Sequence, residues 1–145
     1  MHPLRKLREA GPATPEQYAE LLAEDVVFHS PMFVKAVAGK KVVALIFAAS
    51  ASTREGRYIG EYQLDAHTTF MRWQGTIDGH EIESLEVIVD NEAGLIVERT
   101  LAFRPYPALK LFRDKALAHA GLATLIPKEY LDYPENIAKE SGAKT

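Results

Sequence analysis

The chain has no cysteine in its 145 residues. That absence removes disulfides, thiolate nucleophiles and cysteine-based zinc sites. It fits a reducing compartment, so the expected location is the cytoplasm. No apolar run approaches the ~18 residues of a membrane-spanning helix. The first eight residues, Met1-His2-Pro3-Leu4-Arg5-Lys6-Leu7-Arg8, carry charge with no apolar stretch behind them, so no secretory signal is expected. Neither charge dominates: Lys and Arg total 17, Asp and Glu total 20, and the net charge is -3. A chain so balanced has no electrostatic footprint for nucleic acid. The histidines at 2, 29, 67, 80 and 119 show no metal-ligand spacing, and no glycine-rich phosphate loop is present. No cofactor, metal, nucleic-acid or membrane partner is therefore expected.

What is present is an ordinary globular composition, 47% hydrophobic and 26% charged, in a length that suits one domain with a real core. Pro3 to Ala10 reads as a short helix striped by Leu4 and Leu7 and stopped by Gly11-Pro12. Thr14-Pro15-Glu16-Gln17 is a helix start, with Thr14 as cap, Pro15 first in the helix and Gln17 reaching back. Tyr18, Leu21 and Leu22 give that helix its apolar side. Asp25 to Ser30 reads as a strand ended by Pro31. Gly39 to Ser52 is a helix whose middle is nearly all apolar, which implies burial against a sheet. A strand from Arg57 to Leu64 and a turn near Asp65-Ala66 follow. Pro105 ends the last strand, and Tyr106 to Ala120 forms a C-terminal helix with Leu109, Leu111, Phe112 and Leu117 on its apolar side. Residues 1–121 are expected to form the domain and 122–145 an extension, mobile over its last ~8 residues. Helices first and an antiparallel meander second describe an α+β fold.

The segment His67 to Arg104 carries the sharpest signal. Asp78-Gly79 between alternating residues marks a tight hairpin. It pairs Ile77 with His80, Trp73 with Ser84 and Met71 with Glu86. Asp90 to Gly94 is a looser turn. If Asp90 faces Leu95, Glu86 faces Arg99 and Ser84 faces Leu101. Both turns then place Met71, Trp73, Ile82, Ser84, Glu86, Ile88, Arg99, Leu101 and Phe103 on one face. An apolar surface with one acid, one base and one hydroxyl suits a cavity for a mostly apolar small molecule. The other face carries Leu85, Val87, Val89 and Ile96 beside Arg72, Gln74, Glu98 and Arg104. A sheet apolar on both faces needs cover on both, so a homodimer through this outer face is expected, with burial under the C-terminal tail as the alternative.

Four stretches together resemble the nuclear transport factor 2-like superfamily in its SnoaL-like branch. They are Met1-His2-Pro3 with Glu9-Ala10-Gly11; Leu21 to Pro31; Gly39-Lys40-Lys41-Val42-Val43; and Gly94 to Arg99 running on to Arg104-Pro105. The resemblance spans roughly Met1 to Ala120. It implies a cone, in which a curved antiparallel sheet wraps around N-terminal helices and leaves a deep pocket. It does not imply one reaction, because the superfamily holds isomerases, epoxide hydrolases, cyclases, dehydratases and proteins without known chemistry. The position of the ketosteroid isomerase base is Ser30 here. Glu86 falls at the position of that enzyme's protonated, hydrogen-bond-donating acid. The water-holding tyrosine and asparagine of limonene epoxide hydrolases become Phe28 and Ser30, and their aspartate becomes Leu101. A SnoaL-type cyclase would draw its acid/base from Glu86 or His29.

Glu86 and Arg99 are thus the candidate catalytic pair. Glu86 among Met71, Trp73 and Ile88 would have a raised pKa and exchange protons. As the ion-pair partner of Arg99 it would stay ionised and inert. Arg99 is either a clamp for an oxyanion or carboxylate or the neutraliser of Glu86. Tyr18, Phe28, Ser30, Met71, Trp73, Ser84, Ile88, Leu101 and Phe103 are the expected pocket lining. Tyr58 and Tyr62 are further hydroxyl candidates, with core packing as the simpler role. Alternation turns His29 away from the pocket. The expected ligand is a small apolar molecule bearing a carbonyl or carboxylate. Three functions remain open: proton-transfer enzyme, non-catalytic binding protein, or dimerisation module with a filled pocket.

Overall fold

The structure is a computed structural model that describes residues 1–135. The mobility expected of the final residues concerns positions outside this range. The elements run α1 (Pro3–Glu9), α2 (Pro15–Ala19), β1 (Leu22–His29), β2 (Val37–Ala38), α3 (Lys40–Ala51), β3 (Glu55–Gln63), β4 (Thr68–Ile77), β5 (His80–Asp90), β6 (Ile96–Arg104) and α4 (Tyr106–Ala118). A 3-10 turn (His119–Gly121) and two short helices, α5 (Leu122–Leu125) and α6 (Lys128–Leu131), follow. The sheet order is β2-β1-β6-β5-β4-β3. All neighbours are antiparallel except β1 and β6, which pair in parallel. The fold class expected from the sequence holds, with that one parallel seam added.

Register shifts at Leu22/Val27, Tyr58/Gly60 and Val89/Asp90 interrupt three of the ladders. An extra residue on one strand bends it and increases its twist, so these bulges curl the sheet around the helices. α3 fills the concave side with Val43, Ile46 and Phe47. Phe47 meets Phe28 edge-on at 4.9 Å and Tyr18 at 6.1 Å. Phe112 of α4 lies 4.7 Å from Phe103 and closes the far end.

The β4–β5 hairpin has the register read from Asp78-Gly79, with Trp73 opposite Ser84 and Met71 opposite Glu86. Asp78 and Gly79 both take positive φ, 49° and 78°, as a primed turn demands. The β5–β6 connection differs by two residues. Glu86 faces Leu101 and Arg99 faces Ile88. Asn91 causes this: its backbone N–H donates to Leu95 O at 2.8 Å and its side chain accepts from the Leu95 N–H at 3.0 Å. The loop therefore closes on Asn91 and Leu95, and a bulge follows. A slip of two keeps every side chain on its face. The bulge does move Ile96, which is 1% exposed in the core rather than on the outer face.

Other differences are local. α2 ends at Ala19, so Leu22 starts β1 instead of extending the helix stripe. The capping box of Thr14 and Gln17 is formed in both directions. Leu122 and Ile126 are buried in the same core as the rest. The Val34 N–H donates to Tyr130 O at 2.7 Å. The stretch 122–131 thus packs against the domain.

Candidate functional site

The inner face carries charge in a layer of aromatic rings. Glu86 is 1% exposed and Arg99 2%. Arg99 donates from Nε to Glu86 Oε2 at 2.6 Å, and its Nη2 contacts the same oxygen. The two residues are diagonal neighbours across β5 and β6, within reach of long side chains. The Arg99 guanidinium also lies 4.6 Å from the Phe47 ring centroid. Burial is the largest influence on the Glu86 pKa and raises it. The charges of Arg99 and Arg8, with hydrogen bonding from Arg99 and Tyr58, outweigh it and hold the carboxyl below its ordinary value. Of the two states that the sequence leaves open for Glu86, the geometry favours the ion-paired one, because two cations face it.

A cavity of about 480 Å³ opens beside this layer. It lies between the end of α1, α2, the end of α3 and the start of β3. Tyr18, Trp73, Tyr58, Ala48 and Ala51 form its apolar wall, and Arg8 and Arg54 border it. Of the lining residues expected from the sequence, Tyr18 and Trp73 stand on this cavity. Phe28, Met71, Ile88 and Leu101 are packed in the core over the sheet centre, where the Glu86–Arg99 pair and the Phe28–Phe47 contact take up the space. Ser84 is buried and Phe103 is half-buried against that core. Ser30 is also buried, and its hydroxyl accepts from the Met32 N–H at 3.1 Å, closing a local turn. His29 points outward to Glu98 at 3.0 Å. Tyr62 is exposed and stacks on Phe70 at 6.0 Å.

Two cationic residues escaped the sequence reading. Arg8 donates from Nη1 to the Tyr58 hydroxyl at 2.8 Å and lies over the Tyr58 and Trp73 rings. Burial, and then the Glu86 charge, push the Tyr58 hydroxyl pKa up. Arg54 is 7% exposed, and its Nε and Nη1 have no hydrogen-bond partner among the described residues. Both had a signal. Arg8 follows Leu4 by one helical repeat and shares its face. Arg54 lies four residues before Tyr58, an even spacing, and shares its inward side.

α1 is fixed where it can present Arg8. The His2 imidazole accepts the Leu4 N–H on Nδ1, which leaves Nε2 to donate to Asp90 at 2.9 Å. Arg5 bridges Glu9 at 2.8 Å and Glu61 at 3.4 Å. Among the described residues, no cluster of three or more His, Asp or Glu could hold a metal, and no helix is long and apolar enough to cross a membrane.

A curved six-stranded sheet wrapped around helices is a fold that this chain shares with several solved structures. An uncharacterized bacterial protein with a cystatin-like fold from Silicibacter pomeroyi is 26% identical, with a TM-score of 0.72 over 81% of this chain and 85% of that one. A steroid delta-isomerase from Pseudomonas aeruginosa is 22% identical, with a TM-score of 0.70 over 77% of this chain and 83% of that one. A putative isomerase of the SnoaL-like family from Agrobacterium tumefaciens is 16% identical, with a TM-score of 0.53 over 63% and 80%. No family model matches the chain, and comparison with curated proteins gives no match. Likeness at these identities carries the fold and not a reaction.

Proposed function

We propose that the protein binds one small, mostly apolar molecule in the cavity beside Trp73, and that it does so without acid/base chemistry at Glu86. The cavity carries this reading. Its volume of about 480 Å³ and its aromatic wall with a few polar groups are those of a ligand site. Binding is favoured over proton transfer by the state of Glu86. A general acid or base needs a pKa near the working pH, and this carboxyl is held low by its cations. Ser30, at the position of the isomerase base, has no carboxylate and is committed to a turn. Self-association through the outer sheet face, where Leu85 is 45% exposed beside half-buried Val87 and Val89, is part of the same proposal.

Trp73 is the single tryptophan and stands on the cavity, so its fluorescence reports occupancy. Titration with small aromatic and alicyclic ketones, amides and acids is expected to give a saturable change for some of them and a raised melting temperature for the same ones. Absence of any saturable change across the panel contradicts the reading. Turnover that Glu86→Gln abolishes in a folded protein would instead make it an enzyme.

A further inference from the structure

Among the described residues, Arg54 is a buried cation to which the fold gives no hydrogen-bonding counterpart. It sits at the end of the α3–β3 connection, is 7% exposed, borders the cavity, and has two guanidinium nitrogens with no hydrogen-bond partner. Its guanidinium carbon lies 4.3 Å from the Trp73 ring centroid, 5.0 Å from Phe103 and 5.5 Å from Phe112. Aromatic faces attract a cation, but they do not replace the hydrogen bonds that water gave it. Glu86 Oε2 is held by Arg99, and Glu86 Oε1, also buried without a partner, makes no hydrogen bond to Arg54. Arg8, on the same cavity, donates to a neutral hydroxyl. Three guanidinium groups therefore face one buried carboxylate. Glu9, Glu55 and Arg57 complete the charged lining; all three are exposed at the rim, and Glu9 is paired with Arg5. Burial, followed by repulsion from Arg8, lowers the Arg54 pKa well below the ordinary arginine value. Such an excess of cations is unfavourable where water is excluded.

Resting on the cavity as a ligand site, we propose that Arg54, supported by Arg8, is an anion seat and that the ligand is a monocarboxylate with an apolar body. A guanidinium fork matches the two oxygens of a carboxylate. The apolar body of such a ligand then lies along Trp73, Tyr18, Ala48 and Ala51. The competing account makes Arg54 a structural cation, held by its three rings and needing no ligand.

The test is calorimetric titration of phenylacetate, 3-phenylpropionate and 2-naphthylacetate, each beside its primary amide, into wild type, Arg54→Lys and Arg54→Met. The seat predicts that at least one acid binds at least tenfold more tightly than its amide, that Arg54→Met erases this preference, and that Arg54→Lys weakens it. It also predicts that free Arg54→Met melts at or above the wild-type temperature. Equal binding of acids and amides overturns the seat and leaves the cavity reading standing. Binding of neither series overturns both. An acid preference that survives in Arg54→Met, with a lowered melting temperature, marks a structural cation and overturns the seat. If Arg54→Met does not fold, Arg54→Lys decides: a reduced preference supports the seat and an unchanged one overturns it.

Discussion

Glu86 shows how one neighbour reverses the chemistry of a residue. An isolated carboxyl in this wall would be neutral, and beside Arg99 and Arg8 it is ionised. A carboxyl with a folded pKa below its unfolded value of about 4.5 stabilises the protein at higher pH. That contribution is complete above the unfolded value and is lost as pH falls through the folded one. Urea denaturation at pH 7, 5, 4 and 3 should therefore show wild-type stability falling below pH ~4.5, with a shallower fall in Glu86→Gln. At pH 7, Glu86→Gln leaves Arg99 buried without its ion, a loss of about 3–5 kcal/mol. The double change Glu86→Met with Arg99→Leu should lose less than Glu86→Gln alone, because it removes both charges together. The sequence made the pair legible through alternation alone, which put both side chains on one face. It hid Arg54, because Ser52-Thr53-Arg54 looks like loop and the strand is expected from Arg57. Arg8 was hidden by its ordinary place in the last turn of a helix, where a cation suits the helix dipole.

Strand β3 and its neighbour set one wall of the cavity. Gly56 and Gly75 face each other across β3 and β4, and the Trp73 ring lies over both. A Cβ on Gly75 would meet the Glu55 carbonyl oxygen and the Trp73 ring, and one on Gly56 would meet the Gln74 carbonyl oxygen and the same ring. The two glycines thus let the indole lie flat against the backbone. Gly75→Ala should destabilise by about 1–3 kcal/mol through overpacking and shift the Trp73 emission maximum, as denaturant titration and fluorescence spectra would show. Thr14→Ala removes the capping box of α2, which carries Tyr18 to the cavity, and should lower stability by about 1 kcal/mol. Capping and the tight hairpin were legible because their signals lie within four or five consecutive residues. The β5–β6 register was not, because Asn91 captures Leu95 through its side chain and no pattern of apolar residues encodes that closure. The parallel β1–β6 seam was equally hidden, since it joins segments more than sixty residues apart.

The whole molecule leaves two surfaces to account for, the cavity and the outer sheet face. Leu85 is flanked there by Arg72 and Ala102 on neighbouring strands. If two copies meet on this face, Leu85→Glu should shift the sedimentation-velocity peak from dimer to monomer while the circular dichroism spectrum stays unchanged. A wild-type protein that sediments as a monomer at micromolar concentration contradicts that interface. The central claim is that the cavity beside Trp73 holds a small molecule. The most direct measurement is native mass spectrometry of freshly purified protein, followed by denaturing extraction and mass analysis of what is released. The account predicts an added mass of one molecule per subunit, whose extract is an apolar carboxylic acid and which Arg54→Met fails to retain. Protein that carries no added mass, and acquires none on exposure to a cell extract, contradicts it.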